Sequence, residues 1–231
     1  MQAKPELSPA DLCAPMSRSK PFTAEGWLFE PQHDGFRAFL RRSGTEVEFL
    51  SRDRRPLGRP FPEIVTAALA GLPDAVLDAE LVVLDSAGRS DFGELMRRTS
   101  IIRLTTIADA ALRRPAALII FDVLQAGDVD MRPLSLAERK AWLLAHVRSH
   151  PRLRLTDAVE TRGGALFAAI AQQGLEGIVA KRLDSPYLAG RQTSWLKIKN
   201  PNYSRKEAFA TSGPVPNPKE SRMTTRLDRD A

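Results

Sequence analysis

At 231 residues, with 43% of them hydrophobic, the chain can fill the core of one domain, which excludes global disorder. A formal charge of +6 points to a polyanionic partner, nucleic acid first, although arginine-rich proteins that bind no nucleic acid are also basic. The single cysteine, Cys13, excludes an internal disulfide and a four-cysteine zinc site; no run approaches the roughly 18 apolar residues that span a bilayer, so the chain reads as soluble and cytoplasmic.

In chain order, residues 1–22 are rich in Pro, Ser and charge and read as a leader lying on the surface. From Trp27 onward, short apolar runs broken by Gly, Pro and charge predict strands over 27–29, 36–41, 47–51, 75–84, 117–123, 177–181 and 194–198. Between them, Phe61, Ile64, Val65, Ala68, Leu69 and Leu72 recur at helical spacing, and Pro73 follows. Ser135-Leu136-Ala137-Glu138 is a capping box that opens a helix through about Arg148, and a further helix over 164–173 is ended by Gly174. Strands that alternate irregularly with few helices predict an α+β fold with antiparallel-rich sheets flanked by helices, rather than repeating βαβ units. After Asn200 the periodicity stops, and Pro214-Val215-Pro216-Asn217-Pro218 with scattered charge predicts a disordered tail over 204–231. The expected folded domain is therefore 23–203.

Several short stretches carry charge where a strand is otherwise apolar. Ser194-Trp195-Leu196-Lys197-Ile198-Lys199 alternates, which puts Lys197 and Lys199 on one strand face. Paired ammonium groups there suit a phosphate chain, or else an edge strand with solvated lysines. Leu175-Glu176-Gly177-Ile178-Val179-Ala180-Lys181 sets a lysine in a buried run, where it needs an anion unless its head reaches water. In Asp78-Ala79-Glu80, Glu80 precedes a wholly apolar stretch; a ribose, a hard cation or a neighbouring arginine would each account for it. Ser51-Arg52-Asp53-Arg54-Arg55 is a phosphate or DNA contact, or a solvated basic turn. His33, His146 and His150 have no metal-ligand spacing, and His33 beside Asp34 faces the other way on a strand, so structural roles are expected for all three.

Their order is more telling than any one of them. Glu30-Pro31-Gln32-His33-Asp34-Gly35-Phe36-Arg37, Ser51-Arg52, Asp78-Ala79-Glu80, Phe121-Asp122-Val123-Leu124, Glu176 to Lys181 and Trp195 to Lys199 together resemble the motif series of ATP-dependent DNA ligases, bacterial end-joining type. The resemblance spans 27–203. It implies ATP and Mg²⁺ as cofactors, nicked or broken DNA as substrate, other end-joining repair proteins as partners, and a monomer. In that family a lysine takes AMP from ATP, passes it to the 5′-phosphate of a nick, and the 3′-hydroxyl then displaces it.

Carried over by position, Glu30 would contact adenine and Phe121 would stack on it, while Arg37 and Arg52 would touch ribose and phosphate. Glu80 would hold the ribose or a metal, Glu176 the metal, and Arg191 a further part of ATP; Lys181, Lys197 and Lys199 would line the phosphates, with Asp34 completing the nucleophile motif. Three departures stand out: Gln32 occupies the position of the nucleophilic lysine, Asp53-Arg54 replaces the usual Asn-Gly, and the likeness ends near Tyr203, as in short members without an OB-fold. A carboxamide nitrogen delocalises its lone pair into the carbonyl, so impaired self-adenylylation is expected. A non-catalytic DNA-end-binding module and an RNA ligase or capping-type transferase are the alternatives.

Overall fold

The computed structural model describes residues 12–148 and 150–203. In chain order the elements are β1 (Cys13–Ser17), β2 (Trp27–Gln32), β3 (Phe36–Ser43), β4 (Glu46–Ser51), α1 (Pro62–Gly71), β5 (Ala75–Val83), α2 (Phe92–Thr99), α3 (Leu104–Arg113), β6 (Ala116–Ala126), β7 (Val129–Asp130), α4 (Leu136–His146), β8 (Leu153–Leu155), β9 (Val159–Glu160), α5 (Gly163–Gln172), β10 (Gly177–Arg182) and β11 (Gly190–Lys199). They build one sheet ordered β1-β11-β10-β2-β9 and a second ordered β4-β3-β5-β6-β7, with β8 on β6. Pairing is antiparallel except for β1 with β11 and β6 with β8, so the α+β, antiparallel-rich expectation holds.

Alternation decides which residues face where. In the first sheet, Phe29, Ile178, Ala180 and Ile198 point outward and pack with Ile170 of α5. Their neighbours Glu30, Val179, Lys181, Trp195 and Lys197 therefore point inward. In the second sheet, Leu40, Leu77, Leu81, Leu118 and Ile120 form the main core with Phe61, Ile64 and Ala68 at α1 and Leu143 on α4. Phe39, Val76, Leu124, Cys13, Tyr187 and Trp195 join the two sheets. Burial and apolar area on three such clusters stabilise the fold, and the inward polar residues are left lining a cleft.

The capping box is formed: Glu138 N–H donates to Ser135 Oγ and Ser135 N–H to Glu138 Oε2. Its helix stops at His146, two residues short of expectation, where Val147 turns extended. Gly174 ends α5 at φ +67°, as anticipated. The expected surface leader needs correction: 13–17 is a strand, and Cys13 is fully buried. Its pairing with β11 joins segments far apart in sequence, which no local pattern announces. Strand β2 also runs on through Pro31 to Gln32, because β9 pairs only with Leu28 and Phe29 and leaves Pro31 on an open edge. Helices α2 and α3 were not anticipated; α3 buries only Ile107, too little for a periodic signal, whereas Asp91 capping Glu94 N–H at 2.8 Å was a legible start for α2. The tail expectation lies outside the described residues.

Candidate nucleotide-binding cleft

Between the inner sheet faces lies a cleft of ≈ 530 Å³. Its wall from the first sheet carries Glu30, Gln32, Glu176, Val179, Lys181, Trp195 and Lys197, and its wall from the second carries Arg37, Glu80, Ile119 and Phe121, with Arg52 at the rim. Two glycines allow the backbones to approach. A Cβ on Gly35 would sit 2.3 Å from Leu81 O, and one on Gly177 would sit 2.2 Å from Ile198 O.

Gln32 pairs with Gly177 at the end of β2, and its Oε1 is buried without a hydrogen-bond partner among the described residues. Asp34 does not line the cleft; it is buried in the β2–β3 turn and accepts a hydrogen bond from Tyr203 Oη. His33 does line it, so the two neighbours face different ways, as expected. Burial pushes the His33 imidazole down, against the pull of Asp157 and Glu30, so it is neutral near pH 7.

Arg37 is held by protein groups. Its guanidinium donates to both Asp78 oxygens at 3.0 and 2.6 Å, to Cys13 O at 2.7 Å and to Tyr187 Oη at 3.1 Å. Tyr187 Oη in turn donates to Asp78 at 2.7 Å. Burial pushes the Tyr187 hydroxyl up, and burial likewise lifts the Cys13 thiol to about 12, so neither ionises under ordinary conditions. Glu80 stands opposite Arg37 on the neighbouring strand. Burial raises its pKa to about 8 against the pull of Arg37, and the nearby Asp78 and Glu176 carboxylates add to the rise.

The cations are distributed unevenly. Lys181 is buried and has the anion partner its setting demanded: Glu30 Oε2 lies 2.7 Å away, and its ammonium sits 4.0 and 4.5 Å from the Trp195 and Phe121 ring centroids. Lys197 pairs with Glu176 at 3.2 Å. Lys199 shares that strand face, opposite Gly177, but is exposed and does not line the cleft; nor does the exposed Arg191, beside β1. Sequence reasoning missed Tyr187 and Lys140. The latter reaches Glu30 Oε1 from α4, and only its place one turn into a capped helix marked it.

Arg52 is tied to β3 by its own N–H, which donates to Arg37 O at 2.8 Å, while its side chain is exposed at the rim. The turn beyond it keeps a glycine-like backbone without glycine, for Arg54 has φ +63°. Arg54→Gly should relieve this and raise stability by about 1 kcal/mol, read as a higher urea midpoint; a lower midpoint contradicts it.

Two sheets closing on a cleft with this motif order define a ligase-type nucleotidyltransferase domain. The mycobacterial DNA ligase D solved in complex with ATP and MES superposes with a TM-score of 0.62 at 25% identity, covering 81% of this chain and 60% of that one. A family model for the ATP dependent DNA ligase domain matches residues 10–199, and the chain belongs to that family. It is 38% identical over 189 residues to DNA ligase C2 of Mycolicibacterium smegmatis, covering 80% of this chain and 52% of that protein. It is 32% identical over 176 residues to the multifunctional non-homologous end joining protein LigD of Pseudomonas aeruginosa, covering 75% of this chain and 20% of LigD. The chain spans about half the length of DNA ligase C2.

Proposed function

We propose that this domain binds ATP in the inter-sheet cleft as a repair-ligase module, but does not form its own covalent AMP intermediate. The observation that carries this reading is Gln32, a carboxamide in the cleft at the position of the family's nucleophile. The surrounding lining supports the ATP part. The volume suits a nucleotide, Phe121 offers a ring face, and Lys197 and Arg52 offer positive charge to phosphates.

Glu80 and Glu176 fit Mg²⁺, which takes one or two carboxylates and leaves the rest of its shell to phosphate and water. Bound there, the ion would neutralise charge on phosphate oxygens. The protein's own groups would do the rest: Glu80 releases its proton, Lys197 can leave Glu176 for a phosphate, and Asp78 and Tyr187 hold Arg37 in place.

The +6 charge, Arg52 at the rim and the exposed Arg54 and Arg55 that follow it in the chain support nicked DNA as the macromolecular partner. Titration calorimetry with ATP and Mg²⁺ tests the nucleotide reading: reversible saturable binding is expected, and no heat of binding at millimolar ATP would defeat it. Binding of a nicked duplex should weaken steeply with added salt; a salt-indifferent affinity would remove DNA from the account.

A further inference from the structure

Lys140 belongs to none of the ligase-like motifs, yet it reaches the cleft wall. It follows Arg139 on α4, and where Arg139 turns to Asp122, the Lys140 ammonium pairs with Glu30 Oε1. Lys181 takes Glu30 Oε2 at 2.7 Å. All three side chains are shielded, at 16%, 2% and 4% exposure for Lys140, Lys181 and Glu30.

Burial by itself would raise the Glu30 carboxyl, but Lys140 and Lys181 together outweigh it and hold the group below its usual range. A carboxylate so held accepts hydrogen bonds and donates none. It lines the cleft beside Phe121 and Val179, the ring and aliphatic surfaces suited to a flat base. The competing donor, Lys181, is turned over the Trp195 and Phe121 rings.

We propose that Lys140 is a positioning residue for base selection: by anchoring Glu30 from α4, it presents an acceptor-only carboxylate to the 6-amino group of adenine, where guanine carries an oxo group that a carboxylate repels. This rests on the reading that the cleft binds a nucleoside triphosphate. Without Lys140, Glu30 Oε1 loses its anchor, and the carboxylate, held by Lys181 alone, can turn away from the amine, which weakens the discrimination.

Calorimetric titration of the full chain with ATP and with GTP tests this, since no covalent step removes the nucleotide during the measurement. The unaltered protein should prefer ATP by at least about tenfold, Lys140→Met should shrink the preference to about threefold or less, and Lys140→Arg should keep it. An unchanged ratio in folded Lys140→Met overturns the assignment of Lys140 alone. Purine riboside triphosphate, which lacks the amine, should bind the unaltered chain at least about tenfold more weakly than ATP; equal binding overturns the proposal whether or not the variant folds. An unaltered chain that binds no nucleotide overturns both this proposal and the reading it rests on.

Discussion

Gln32→Lys should convert a protein with no detectable adduct into one that carries close to stoichiometric AMP after incubation with ATP and Mg²⁺. An amine at position 32 has a free lone pair, so it can attack the α-phosphorus: a P–N bond forms, the bond between the α-phosphorus and its bridging oxygen breaks, and pyrophosphate leaves while the amine proton passes to solvent. The substitution should be tolerated locally. Gln32 Oε1 has no hydrogen-bond partner among the described residues, so removing that oxygen breaks no hydrogen bond to them, and Gly177 opposite it presents no side chain. Gain of the adduct, with release of pyrophosphate, would show that Lys197, Arg52 and the two carboxylates still serve an incoming triphosphate. A Gln32→Lys protein that folds, binds ATP and stays unmodified would mean that the cleft has drifted at more than one position.

The second large effect lies beneath the cleft. Asp122→Asn should lower stability by about 3–5 kcal/mol, measured by equilibrium urea unfolding, because it leaves a buried guanidinium without its counterion. Asp122 and Arg139 are both fully buried and joined by bidentate bonds of 2.7 and 3.0 Å. Arg139 also donates to Leu134 O at 2.6 Å and Ser185 O at 3.2 Å, so one side chain fastens β6, α4 and the β10–β11 loop together. The Tyr187 ring lies 5.8 Å from the same guanidinium, and its hydroxyl continues to Asp78 and Arg37. Replacing both partners, as in Asp122→Leu with Arg139→Met, should cost less than Asp122→Asn, since the expensive state is the single unpaired charge. A loss under about 1 kcal/mol for Asp122→Asn would contradict this account of how the sheets are held.

The legibility of the chain in sequence follows the range of the interactions involved. Strand alternation put Lys197 and Lys199 on one face, and the apolar run around Lys181 called for an anion or an outlet to water; the register supplies the anion, Glu30. The helix starts with side-chain caps were readable, as Ser135 and Glu138 show. What could not be read depends on contacts between segments distant in sequence. Strand β1 exists because β11 pairs with it, and Arg37, expected as a ligand contact, is committed to Asp78, Cys13 and Tyr187. Lys199 follows the predicted alternation yet falls beyond the cleft, because face is set by periodicity but depth is set by where the strand ends. The role of Lys140 was hidden for the same reason: a helix position gives the direction of a side chain, not the strand it will meet.

Whether the cleft is retained while its nucleophile is missing is decided by intact-mass spectrometry of the unaltered protein after incubation with ATP and Mg²⁺. With Gln32 in the nucleophile position, the mass of the unmodified chain alone is expected. A stable AMP adduct on the unaltered protein would contradict it.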